Sequence, residues 1–418
     1  MKYIVDIFDI SYEGAGVGKL DGQVVFVPKS LPGERVEVEI VKKTNSYLIG
    51  KVVQVLQSSK ERIAAKCPYF DVCGGCDFQH CLLGAERDIK HQILAKELKK
   101  VGFDGEIDFV PSKERFAYRN KIKMEVQDGK LGYFKAKSHE FFEVENCPIA
   151  SEKINEVLPL VREFLSENHL QNLKNVYLKQ VGEKVAICFL FDKNAKNVQK
   201  NIKNMQILDN FSVFFAFGDV LESDETKIFC VLGEEKLKSK LHGIEMNVDV
   251  SAFNQINDNV AERLYSFLCE LSQNKRVVNA YSGQGLLTAL MAQNAKFVYG
   301  IEMQKSAHLA SEKLMENLKE YNVKNICGKV EDHLERVLLS DRVDMIVLDP
   351  SREGCKGQVL EKICSSKIQN VVYVSCNFAS LVRDLKTLTC EYSIEKVLIF
   401  DMFPCTANME SVVVLNKR

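Results

Sequence analysis

The sequence predicts a multidomain protein. Residues 1–60 form a small β-barrel, residues 61–245 an α+β segment with a cysteine loop, and residues 246–418 a doubly wound α/β domain. Three observations predict this. Short alternating strands with glycine-bearing turns recur at the start, as in small barrels. Three cysteines then crowd ten residues of loop, Cys67 to Cys76. Beyond residue 245, short apolar runs alternate with helical patterns, which means a parallel sheet covered on both faces.

Composition bounds the function. With 418 residues the chain exceeds one ordinary domain, and 46% hydrophobic with 27% charged residues is a globular balance. A net charge of −1 excludes a global field that attracts nucleic acid, so such a partner needs a local patch. The first residues lack a signal-peptide layout, and no apolar run approaches membrane-spanning length. No membrane partner is expected; a cytoplasmic monomer is. Fourteen cysteines then fit a reducing compartment, where thiols act as metal ligands or nucleophiles.

The barrel strands are expected over 2–8, 24–27, 35–41 and 50–56. Glu13-Gly14-Ala15-Gly16-Val17-Gly18 and Leu31-Pro32-Gly33-Glu34 read as turns. Together with Gly18-Lys19-Leu20-Asp21-Gly22 and Val25-Phe26-Val27-Pro28, the pattern resembles the TRAM module, an OB-like barrel found on RNA-modifying enzymes. That resemblance implies contact with RNA. The bland alternative is a barrel that only packs against its neighbour.

The run Cys67-Pro68-Tyr69-Phe70-Asp71-Val72-Cys73-Gly74-Gly75-Cys76 has C-x5-C-x2-C spacing, and Cys147 follows in Asn146-Cys147-Pro148. Four such thiols suit iron–sulfur or zinc, and spacing alone does not choose. A helix is expected over 84–101. Residues 112–137 hold eight Lys and Arg against three acids, interleaved with Phe116, Tyr118, Tyr133 and Phe134. Basic groups neutralise phosphates and aromatics stack on bases, so this stretch is the expected RNA surface. From 151 to 245 the pattern is helix over 151–168, hairpin over 175–191 turning at Gly182-Glu183, helix over 195–205, and strands over 211–217 and 227–232. This segment carries no chemical constellation, and His242 alone reads as structural.

In the α/β domain, strands are expected over 276–281, 297–301, 325–328, 343–348, 371–375, 397–400 and 411–415. The first ends in Asn279-Ala280-Tyr281-Ser282-Gly283-Gln284-Gly285, where glycines let a ligand approach the backbone. The second ends in Glu302, placed to meet a ribose diol. The fifth runs into Ser375-Cys376-Asn377 before a helix, a setting for a reactive thiol.

Leu348-Asp349-Pro350-Ser351-Arg352-Glu353-Gly354, Ser375-Cys376-Asn377, the segment Asp401 to Glu410, Phe253-Asn254-Gln255-Ile256-Asn257 and the cysteine loop fall in one order. In that order they resemble the RNA uracil-5-methyltransferase family over nearly the whole chain. The resemblance implies a SAM-dependent methyltransferase fold for the C-terminal domain. It implies S-adenosyl-L-methionine (SAM) binding by Gln255, Tyr281, Glu302 and Asp349, with Cys376 as nucleophile and Glu410 as base. It also implies a 4Fe-4S cluster on Cys67, Cys73, Cys76 and Cys147. The chain departs from the family at Cys405 and Asn408, where histidines are common. The expected substrate is a uridine of 23S rRNA, with tRNA as the runner-up. The other classes of reading are a non-catalytic iron–sulfur RNA-binding protein, which needs neither Cys376 nor Glu410, and a zinc protein.

Overall fold

The computed structural model describes residues 1–195, 198, 202–241, 243–319 and 322–418. His242 and much of the helix expected over 195–205 lie outside the described residues.

The barrel is a six-stranded sheet in the order Lys2–Asp6, Arg35–Lys43, Tyr47–Gln57, Gln23–Val27, Gly16–Leu20, Asp9–Ile10. Its interior is a cluster of Val5, Ile7, Val25, Val27, Val36 and Val38. The expected turn over 13–18 is partly strand. A Cβ on Gly16 would meet Ser30, and one on Gly18 would meet Val5. These glycines serve close packing inside a strand rather than a turn.

The central segment is a seven-stranded sheet. Its order is Phe141–Glu143, Lys130–Phe134, Lys121–Gln127, Leu173–Val181, Lys184–Phe191, Ser212–Phe217, Lys227–Leu232. The amphipathic helix Glu152–Glu167 covers one face through Ile154, Val157, Val161 and Phe164. Ser151 caps it, its hydroxyl accepting from the Ile154 amide.

In the C-terminal domain we label seven strands: β1 (Arg276–Ala280), β2 (Phe297–Glu302), β3 (Val323–Cys327), β4 (Met345–Leu348), β5 (Asn370–Ser375), β6 (Tyr392–Phe400) and β7 (Glu410–Lys417). Their order is β3-β2-β1-β4-β5-β7-β6. Strands β1 to β5 are parallel, and β7 is antiparallel to both β5 and β6. Alternate residues explain the two helical layers. Val278, Ile346, Val371 and Tyr373 face one core, while Val277, Val347, Val372 and Val374 face the other.

One part of the chain crosses the expected boundary at 245. Strand Ile107–Val110 pairs in parallel with β6 as an eighth strand. Helix Leu83–Leu98 buries Ile89, Ile93, Leu94 and Leu98 against the C-terminal core. The polypeptide that carries the cysteine loop is thereby fastened to the strand that precedes β7.

Candidate active site

Parallel strands deliver their C-terminal ends to one rim, where open α/β sheets bind ligands. β1 delivers Tyr281, β2 Glu302, β4 Asp349 and β5 Cys376. Because β7 runs the other way, its first residue, Glu410, meets the same rim. Ser375 pairs with Ser411, so Cys376 and Glu410 flank one rung of the sheet.

The turn holding Cys376 is closed by its neighbours. Ser375 Oγ donates to the Asn377 carbonyl at 2.9 Å and accepts from the Asn377 amide at 3.1 Å. Asn377 caps helix Phe378–Leu388 by accepting from the Ala379 amide at 3.0 Å. Cys376 is half-buried. Burial pushes its thiol up to about 11 and the Glu410 charge adds to that, while the Arg352 guanidinium, hydrogen-bonded to the thiol, pulls it down. Arg352 is itself located by Asn377, whose Nδ2 donates to the Arg352 carbonyl at 3.0 Å.

Glu410 is buried, and burial, followed by the Asp349 charge, holds its carboxyl well above the carboxylate range. Burial raises Asp349 to about 7. Two carboxyls sharing one desolvated site oppose each other's ionisation. Tyr265, from helix Asp258–Ser272, lies within electrostatic range of both.

The remaining expected residues occupy the adjoining loops. The Glu302 carboxylate accepts from the Gly283 amide at 2.8 Å and the Gln304 amide at 2.7 Å, which ties β2 to the glycine loop. Tyr281 has φ 64°, and its hydroxyl shares a hydrogen bond with the Cys355 thiol. Gln255 is buried; its carbonyl accepts from Asn120 Nδ2 at 3.0 Å. Among the described residues, Asn254 Oδ1 and Gln284 Oε1 find no hydrogen-bond partner although buried. Beside Gln284 a trough of about 810 Å³ opens, lined by Lys236, Lys238, Lys240 and Lys313.

The cysteine loop packs against the segment that leads into β7. Cys67, Cys76 and Cys147 share an apolar cluster with Phe70, Tyr118, Ile149 and Cys405. The Gly75 amide donates to Cys73 Sγ at 3.3 Å and Gln79 Nε2 to Cys76 Sγ at 3.2 Å. Lys29 of the barrel donates to the Cys76 carbonyl at 2.6 Å and lies 3.8 Å from the Phe70 ring centroid. Burial chiefly raises the Cys67, Cys76 and Cys147 thiols, and each also feels the charge of Cys73. Among the described residues, no set of three or more Cys, His, Asp or Glu is disposed to hold a metal ion. The four thiols thus share one neighbourhood and suit iron or zinc as donors, without forming a ligand shell here.

Two features differ from the sequence reading. Five cations of the basic stretch 112–137 are paired, mostly with acids from outside it, as Lys121–Glu222, Lys123–Glu125, Lys130–Glu143, Lys135–Glu140 and Lys137–Glu13. Tyr118 is buried and donates to the Pro404 carbonyl at 3.0 Å, so it offers no face to a base. Arg352 and Tyr265 were missed. Arg352 stands inside the Asp349-Pro350-Ser351-Arg352 run, which was its available signal; Tyr265 has none outside the fold.

Comparison with known proteins bears on the family and the fold. The family described as tRNA (uracil-5-)-methyltransferase matches residues 85–418, and the TRAM domain matches residues 2–53. An uncharacterized RNA methyltransferase of Halalkalibacterium halodurans is 32% identical, over 99% of this chain and 96% of its own. Another, from Fusobacterium nucleatum, is 30% identical over 99% and 95%. The crystal structure of Pyrococcus abyssi tRNA (uracil-54, C5)-methyltransferase with S-adenosyl-L-homocysteine superposes with a TM-score of 0.79 at 22% identity, covering 99% of this chain and all of that one.

Proposed function

Since the chain belongs to the tRNA (uracil-5-)-methyltransferase family and is a SAM-dependent RNA methyltransferase, we propose that it methylates C5 of a uridine by covalent catalysis, with Cys376 as nucleophile and Glu410 as base. The observation that carries this reading is the rung where β5 ends and β7 begins. It sets a thiol and a buried carboxyl side by side on the cofactor rim.

The chemistry requires that pair. Uracil C5 is a poor nucleophile until a thiolate adds to C6 and drives electron density toward O4 and C5. Cys376 gives up its proton to solvent, and the resulting thiolate forms the S–C6 bond. Bound SAM supplies an electrophilic methyl group on a cationic sulfonium. C5 takes the methyl as the sulfur–methyl bond breaks. Glu410 accepts the C5 proton, the C5–C6 double bond re-forms, and the Cys376 thiolate departs. Arg352 favours the thiolate at both ends of the cycle, which a buried thiol needs. Asp349 holds negative charge against the cofactor, alongside Gln255, Tyr281 and Glu302. The base must leave its stack to reach the rim, which favours a loop or a flipped nucleotide.

Cys67, Cys73, Cys76 and Cys147 would hold a 4Fe-4S cluster. The donors' chemistry supports this, as do the N–H groups aimed at Cys73 and Cys76 and the Lys29 cation beside them. Its part is to order the loop, since this methyl transfer moves no electron from the protein. The barrel and the basic trough give RNA a path past the glycine loop. We take 23S rRNA as the substrate because barrel and cysteine loop occur together. The name of the Pyrococcus abyssi enzyme favours tRNA as the second reading.

Labelled SAM with 23S rRNA and tRNA transcripts tests the assignment. 5-Methyluridine in digested 23S rRNA alone is the expected result. Label in tRNA alone replaces the substrate, and label in neither, with RNA still bound, removes the catalytic reading.

A further inference from the structure

The segment Asp401 to Met409, which ends at Glu410, has little regular structure of its own. It is held by charge. Lys90, on helix Leu83–Leu98, is fully buried. Its Nζ reaches Asp401 Oδ1 at 2.9 Å, Glu86 Oε1 at 3.0 Å and the Phe403 carbonyl at 3.1 Å. Glu86 also accepts from the Cys405 amide at 2.6 Å. Its other oxygen accepts from Arg115 Nη2 at 3.1 Å, and the same guanidinium spans to the Phe78 and Cys81 carbonyls at 2.8 Å each.

This is two cations and two carboxylates inside the protein, with Glu86 1% and Asp401 2% exposed. Replacing such a network with apolar residues is often neutral or stabilising, so it is a poor device for stability alone. It is a good device for register, because each group satisfies a backbone atom or a charge on another element. Three of its contacts end on residues 401, 403 and 405, whose chain leads directly into β7. Cys405 is forced to φ 68°, a left-handed conformation that a non-glycine residue holds only when surroundings dictate it. The Asp77 and Phe78 amides both donate to the Cys405 carbonyl, at 2.8 and 2.9 Å.

We propose that the Glu86–Lys90–Asp401–Arg115 network sets the position of Glu410, making Lys90 a positioning residue for removal of the C5 proton. The proposal rests on Glu410 being the base. Its signature is specific, because proton removal follows methyl transfer. A misplaced base leaves Cys376 addition and methyl transfer intact and stalls the covalent, already methylated RNA.

The test is single turnover with ordinary uridine RNA and labelled SAM, followed by denaturing electrophoresis. Glu410→Gln should accumulate a labelled protein–RNA adduct. Lys90→Met should accumulate it too, with resolution slowed about a hundredfold and SAM affinity unchanged. The variant K90M/D401N, which removes both charges of one pair and leaves Glu86 paired with Arg115, should behave in the same way. If Glu410→Gln stalls while both network variants, folded and binding SAM, resolve at the wild-type rate, the network is only structural. If Glu410→Gln forms no adduct, the base assignment itself falls, and the proposal with it.

Discussion

The surroundings of Cys376 and Glu410 both favour the protonated form. The thiol is raised to about 11, chiefly by burial, and burial with the Asp349 charge raises Glu410 well above its ordinary value. Both must lose a proton to act, so raising the pH increases each active form. The expected kcat/KM therefore climbs from about pH 6 to about pH 9. A flat profile over that range would contradict these environments. Arg352 works against the burial, and Arg352→Gln removes its charge. The climb should move to higher pH, and activity near pH 7 should fall by about tenfold for each unit the thiol rises. At this scale the sequence was informative where a motif was continuous: the strings that hold Asp349, Cys376 and Glu410 carried the family resemblance. Tyr265 could not be read, since it meets Asp349 and Glu410 only after helix Asp258–Ser272 packs on the sheet.

Elements were legible wherever apolar runs were uninterrupted. Seven of the eight strands of the C-terminal sheet were expected, because β-branched residues buried on both sides leave a strong pattern. Two omissions have physical causes. The first half of β6 contains exposed Glu395 and Lys396, which break the run. Strand Ile107–Val110 is four residues long and depends on β6 for a partner. The glycine loop makes its own prediction. Gly285 has φ +83°, and a Cβ there would strike Ser311 on helix Lys305–Leu318. Gly285→Ala should cost about 1–3 kcal/mol in urea unfolding from backbone strain. SAM affinity should fall with it, measured by titration calorimetry. Unchanged affinity would mean that the loop does not touch the cofactor.

The whole molecule is three modules tied together by interior contacts. Lys29 links the barrel to the cysteine loop, and Asp77 and Phe78 link that loop to the segment before β7. No described helix is long and apolar enough to cross a membrane. That a small β module comes first and an α/β sheet last was readable from turns and apolar runs. The placement of charge was not, because pairing between Lys121 and Glu222, or Lys137 and Glu13, spans separate elements. With a net charge of −1, RNA affinity must come from local groups such as the lysine trough. Lys238→Glu with Lys240→Glu should weaken RNA binding at least tenfold and flatten its salt dependence, leaving SAM affinity alone. Filter binding across a salt series checks this, and an unaltered slope would move the RNA path elsewhere.

The account rests most directly on a bond between Cys376 and uracil C6. RNA transcribed with 5-fluorouridine blocks the final proton loss, so the adduct cannot resolve. Incubated with this RNA and SAM, the protein should shift to a denaturation-resistant species. Mass spectrometry should place methylated nucleotide on the peptide containing Cys376, and Cys376→Ala should abolish it. An adduct on another cysteine, or 5-methyluridine formed by Cys376→Ala on ordinary RNA, would contradict covalent catalysis by this residue.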